Sequence, residues 1–94
     1  MAQLIPRPRF ERAFRRLARK NPVLQSQIEE ALHRMAADLN DPRLRTHHLS
    51  GKLEGLFACS CGYDCRIVFA KVKDPKTGRE VLLLLNIGSH DEVY

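Results

Sequence analysis

Val81-Leu82-Leu83-Leu84-Leu85-Asn86-Ile87 is an apolar run free of Gly and Pro, bounded by Arg79-Glu80 on one side and Gly88-Ser89 on the other. A run of this length between turn residues reads as a strand buried on both faces, which places it at the centre of a sheet. The tail after it is short and polar: Gly88-Ser89-His90-Asp91-Glu92-Val93-Tyr94. The strand thus delivers His90, and four residues later Tyr94, to the edge of the core. A titratable side chain held beside the end of a rigid strand is a common way of building an active site. Taken alone, though, the tail reads more simply as a polar cap on a core strand.

The rest of the chain must cover that strand. Its 94 residues suit one small domain, and 44% hydrophobic with 29% charged residues suits a globular protein rather than a disordered one. No apolar run approaches the ~20 residues of a membrane span. Met1-Ala2-Gln3-Leu4-Ile5-Pro6 has no signal-peptide apolar core, so the expected setting is the cytosol, with no membrane partner. Cys59, Cys61 and Cys65 are odd in number, without the paired spacing of a zinc site. They read as reduced, strand-packing thiols, with Cys59 and Cys61 on one face, and no metal or other cofactor is expected. A net charge of +5 suits an anionic partner, nucleic acid or acidic protein.

Leu4-Ile5 before Pro6 forms a short first strand. Phe10, Ala13, Phe14, Leu17 and Ala18 then repeat at helical spacing, predicting an amphipathic helix over residues 9–20. Its other face is nearly all of one sign: Arg9, Arg12, Arg15, Arg16, Arg19 and Lys20 against Glu11. Such a row is either a solvated face or a contact for RNA or an acidic protein. Asn21-Pro22 starts a second helix, carried by Leu24, Ile28, Ala31, Leu32, Met35 and Leu39, and Asn40-Asp41-Pro42 stops it. His33 falls off the apolar stripe and reads as exposed. Residues 43–54 read as a loop. Strands over 56–61, 65–72 and 80–87, joined by Gly62-Tyr63-Asp64 and Asp74-Pro75-Lys76-Thr77-Gly78, make an antiparallel meander. The expected fold is α+β in the order β-α-α-β-β-β, a helical hairpin packed on a small antiparallel sheet, one domain over 1–94.

Polar groups at strand ends and turns are His47, His48, Lys52, Asp64, Arg66, His90 and Tyr94. Arg66 shares a strand face with Val68, Ala70 and Val72, where a guanidinium needs an anion or water as partner. Singly, each has a bland reading. Together, imidazoles, an Arg, a Lys and a Tyr are what metal-free RNA cleavage uses. A 2′-hydroxyl attacking phosphorus needs a base, the leaving 5′-oxygen an acid, and the phosphorane cations. Imidazole suits the proton transfers because it titrates near neutral pH.

Three stretches carry a family resemblance. They are His47-His48-Leu49-Ser50-Gly51-Lys52-Leu53-Glu54-Gly55-Leu56, Gly62-Tyr63-Asp64-Cys65-Arg66-Ile67-Val68-Phe69 and Ile87-Gly88-Ser89-His90-Asp91-Glu92-Val93-Tyr94. In this order, with the element order above, they resemble the RelE/ParE toxin superfamily, its RelE/StbE and YafQ-like branch above all. The resemblance spans nearly the whole chain. It implies the toxin of a type II toxin–antitoxin pair, an endoribonuclease that cuts mRNA in the ribosomal A site without a metal. It implies His90 as a proton-transfer group and Tyr94 as the terminal aromatic that stacks on a base or assists. Arg66 becomes the phosphate-stabilising group, Asp64 an acidic site residue, and His47 a further site His with His48 as its possible substitute. Lys52, His48 and the helix arginines Arg12, Arg16 and Arg19 would bind RNA.

The sequence departs from YafQ-like toxins at Ser60, where they carry another His, at Asn86, where they carry an Arg, and at Cys65, which replaces an aromatic. The implied partners are a cognate antitoxin, whose disordered segment folds on binding, and the ribosome with its mRNA. Two other readings stay open. One is a ParE-like inhibitor of DNA gyrase sharing the fold, and the other is a basic RNA-binding domain without catalysis.

Overall fold

The computed structural model describes residues 2–94. Helix α1 (Pro8–Ala18) opens with Pro8 at a position where the missing N–H costs nothing. Helix α2 (Pro22–Ala37) is capped by Asn21, whose side-chain oxygen accepts from the Leu24 N–H at 3.1 Å. Five strands form one sheet: β1 (Gln3–Pro6), β2 (His47–His48), β3 (Phe57–Gly62), β4 (Cys65–Lys73) and β5 (Glu80–Gly88), in spatial order β1-β5-β4-β3-β2. The last four residues before Tyr94 form α3 (His90–Val93). The α+β expectation and the β3-β4-β5 meander are both present.

Three expectations need correcting. The apolar run β5 is not the central strand: β4 is, and β5 lies between β4 and β1. Nor is the sheet wholly antiparallel, because β1 joins β5 in parallel with Ile5 opposite Leu83. The segment 43–54 is more than a loop. It holds the edge strand β2 and two 3-10 turns, Pro42–Leu44 and Gly51–Leu53. A two-residue strand carries too little periodicity to be read from sequence.

Helix α1 lies mainly against β5 and α2 against β3, both on one face of the sheet. The core between these layers includes Phe10, Ile28, Met35, Ile67, Phe69, Leu82 and Ile87, each about 1.5–3 kcal/mol of favourable burial. The β4–β5 register shifts between Val68↔Asn86 and Phe69↔Leu84, so Leu85 is an extra residue on β5. This bulge lets Leu82, Leu84 and Ile87 all reach the core, while Asn86 joins Val68 on the opposite face. Strict alternation would have driven the Asn86 amide under the helices.

The cysteines also differ from expectation. Cys61 and Cys65 form a disulfide across the β3–β4 turn; only Cys59 is free. A second irregularity, between Ser60 and Gly62, pairs Gly62 with Cys65 and leaves Cys61 beside Cys65 at a Cα separation of 5.1 Å, within reach of a bond. Cys59 is buried on the same face as Cys61, as the strand period requires. Burial pushes its thiol up to about 12, which leaves it inert at neutral pH. No helix among the described residues is long and apolar enough to cross a membrane.

Candidate functional site

The tail is a latched element. Ser89 Oγ accepts from the Glu92 N–H at 3.2 Å and Glu92 Oε1 accepts from the Ser89 N–H at 2.9 Å, a reciprocal capping box. The His90 N–H donates to Asp64 Oδ1 at 3.1 Å, tying the helix start to the β3–β4 turn. Glu92 Oε2 meets Arg16 of α1 at 3.2 Å. Val93 is buried beneath this latch. At Gly88, where the chain folds back, an added Cβ would lie 3.1 Å from both Cβ and Oε1 of Glu92 and press on the latch. The sequence signal for α3 was Ser89-His90-Asp91-Glu92, a capping-box pattern that reading the tail as a simple polar cap passed over.

On the face of the sheet away from α1 and α2, two cross-strand rows carry the polar groups. One row is Ser60, Arg66 and Gly88; the next is His47, Ala58, Val68 and Asn86. Strands lie about 4.8 Å apart, so the Cα of His47 stands roughly 10 Å from that of Val68. Arg66 is directly opposite Gly88, two residues before His90. The His90 and Tyr94 rings meet edge to face, centroids 4.6 Å apart. Burial raises the Tyr94 phenol above its ordinary value while the Arg66 guanidinium, close enough to act, pulls it the other way. The phenol therefore keeps its proton at neutral pH and can donate it. Lys52 stands beside Tyr94, lining a shallow pocket of about 360 Å³ with Leu49, Ser50 and Leu53.

The structure separates the two neighbouring histidines. His47 lies on the Arg66 face, its Nδ1 2.9 Å from the Arg45 carbonyl. His48 pairs with Phe57, whose ring it meets at 4.5 Å, and so lies on the helix-bearing face. Asp64 is exposed, with φ of +50° in the turn, and one of its carboxylate oxygens is spent on the His90 amide. Arg12 and Arg16 lie one turn apart on the exposed side of α1, Arg19 follows just past its end as the exposed C-cap residue, and Arg16 joins this side to the tail. Arg66 itself donates to the Cys65 carbonyl at 3.0 Å and has no carboxylate partner among the described residues.

Arg66 also lines a second space that sequence reading missed. This cleft of about 670 Å³ runs between α2, the Pro42–Leu44 turn and the free edge of β3, where Arg34, Arg43, Arg45 and Tyr63 are also found. Its residues come from three separate stretches of chain, 27–34, 43–45 and 60–66, and the motif pattern held no sign that they meet. No trio of His, Cys, Asp or Glu among the described residues is grouped to hold a metal ion.

No protein-family model matches the chain. No curated protein matches it either. Solved structures do. A copper-bound mutant toxin from Helicobacter pylori is 26% identical over the full length of both chains, with a TM-score of 0.70. A YoeB/ParE toxin from Agrobacterium tumefaciens is 11% identical, with 94% of this chain and 98% of that one covered and a TM-score of 0.76. The DinJ–YafQ toxin–antitoxin complex from E. coli is 13% identical, covering 99% of this chain and 97% of that one, with a TM-score of 0.73. The chain has the fold of these toxins from end to end.

Proposed function

We propose that the chain is the toxin of a type II toxin–antitoxin pair and that it cuts mRNA on the ribosome. The observation that carries the reading is the placement of Arg66 opposite the end of β5, with the touching His90 and Tyr94 rings one short turn further on. In the reaction, the 2′-oxygen bonds to the adjacent phosphorus and gives its proton to a base. The phosphorus–5′-oxygen bond breaks, and the leaving oxygen takes a proton from an acid. The products are a 2′,3′-cyclic phosphate and a 5′-hydroxyl. His90 and His47 are the proton-transfer groups. Arg66 and Lys52 offset the charge gathering on phosphorus. Tyr94, still protonated, stacks on a base or donates to a phosphate oxygen. Asp64 contributes by holding the His90 backbone rather than by exchanging protons.

The H. pylori relative, itself a toxin, supports the toxin reading at 26% identity. The YafQ structure was solved with an antitoxin bound, which supports an antitoxin partner here. The arginines of the α1 stripe suit an acidic antitoxin segment or ribosomal RNA phosphates.

Expression in bacteria tests the proposal. A rapid stop in translation with cut messages is expected, and it should vanish in His90→Ala. An SOS response with damaged DNA and intact messages would point to the gyrase inhibitor. RNA binding without cleavage, even with ribosomes supplied, would leave a binding domain.

A further inference from the structure

The four arginines of the 670 Å³ cleft are not equivalent. Arg34 is paired with Glu30 one helical turn away, and Arg43 is held by Asp41. Hydrogen bonds from the Arg43 side chain and backbone hold the Asp41 carboxyl down to about 2, so that pair stays ionised and mutually neutralised through the physiological range. Arg45 and Arg66 are left: neither has a carboxylate within reach among the described residues, and both line the same cleft. Arg66 is half-buried, and Arg45, just after the Pro42–Leu44 turn, is exposed. On the wall beside them is Tyr63, whose side chain is fully exposed and packs against nothing. Strand β2 ends its pairing at Ala58, so β3 from Cys59 to Gly62 has no neighbour strand on that side and forms an open lip of the cleft.

Two free guanidiniums lining one cleft, with a bare aromatic ring on the same lining, match a polymer of phosphates and flat bases. An acidic peptide would use the cations and leave the exposed Tyr63 ring idle. We propose that this cleft is a binding track for single-stranded RNA, taking the nucleotides next to the scissile one: Arg45 holds a flanking phosphate and Tyr63 stacks on its base. The inference rests on the nuclease reading for the identity of the scissile position, because Arg66 is the group shared by both spaces. Stacking of this kind tolerates every base, so the track gives affinity and register rather than sequence choice.

The probe is a fluorescein-labelled ten-nucleotide RNA with 2′-deoxyribose throughout its central positions, so that binding is read without cleavage. Anisotropy titrations over a series of salt concentrations compare the wild type with Arg45→Gln and Tyr63→Ser. Both positions are exposed, and Gln sits at the Arg45 backbone conformation with no more strain than Arg does. Arg45→Gln should lower the slope of log affinity against log salt by about 0.7, the share of one phosphate contact. Tyr63→Ser should weaken binding at least about fivefold while leaving the slope unchanged. Circular dichroism melts confirm that both variants fold. Wild-type binding that neither substitution changes overturns the track, as does a wild type that binds a polyglutamate peptide but not the RNA. Message cleavage in the expression test is scored separately, so RNA held in the cleft by a protein that cuts nothing would sink the nuclease and keep the track.

Discussion

Among single residues, the sharpest distinction is between His47 and His48. Adjacent in sequence, they project to opposite faces of the sheet, and only His47 shares the Arg66 face. His47→Ala should lower message cleavage by about a hundredfold or more, as loss of a proton-transfer group does. His48→Ala removes a ring from Phe57 on the other face and should leave the rate within about threefold of wild type. Primer-extension assays of cut messages read both. Glu92 makes a second residue-level prediction. Hydrogen bonds with Ser89, backbone first and hydroxyl second, hold its carboxyl below the ordinary value, with Arg16 helping and desolvation opposing. A depressed carboxylate stabilises the fold above its unfolded value of about 4.3 and loses that contribution as pH falls through the lower folded value. The latch on the tail should therefore loosen in acid before the core does. The ring signals of His90 and Tyr94 in an NMR titration should lose their mutual shifts as acid protonates Glu92, below the ordinary carboxylate range, while the methyl signals of Ile67 and Leu82 stay native.

At the scale of elements, what could be read from the sequence depended on period and length. The helices α1 and α2 and the strands β3 to β5 follow from apolar spacing, from Asn21-Pro22 and from the turn residues, and their boundaries shift by only a few residues. The parallel docking of β1 could not be read, because four residues ending in Pro6 do not say which neighbour they pair with or in which direction. The bulge at Leu85 could not be read either. It decides that Asn86 faces the Arg66 side, yet in sequence Leu85 is one leucine among four. The Cys61–Cys65 bond depends on the irregularity between Ser60 and Gly62, which brings the two residues side by side; spacing alone suggested free thiols. With the bond in place and Cys59 buried, the native unreduced protein should take up no maleimide label by mass spectrometry, and one label per chain after denaturation. For the site itself, the short motifs named Arg66, His90, Tyr94 and His47 but not their cross-strand rows. The capping box of α3 supplies a further test. Ser89→Ala removes a cap worth about 1 kcal/mol. Amide exchange at Val93 and Tyr94 should speed up about fivefold with little change in the melting temperature.

For the whole molecule, the layers divide the labour. The helices and one sheet face make the core, leaving the other face to carry Ser60, Arg66, His47 and Asn86, while the tail closes one end of that face. Asp64 and Arg16 come from distant parts of the chain, and both fasten the tail. The site is thus a property of the finished fold, which is why its members are spread from residue 47 to residue 94. The net charge of +5 adds a general attraction to RNA, and it should weaken with salt in every variant. In the proposed reaction Arg66 and His90 act on the same phosphate. Single-turnover cleavage of ribosome-bound message by Arg66→Gln, by His90→Ala and by the double variant measures that directly. Groups that act as a unit are far from additive. Each single variant should lose about a hundredfold or more, and the double should lose little beyond the worse of the two. Full activity in either single variant, or losses in the double that multiply, would mean that the two residues do not share a reaction.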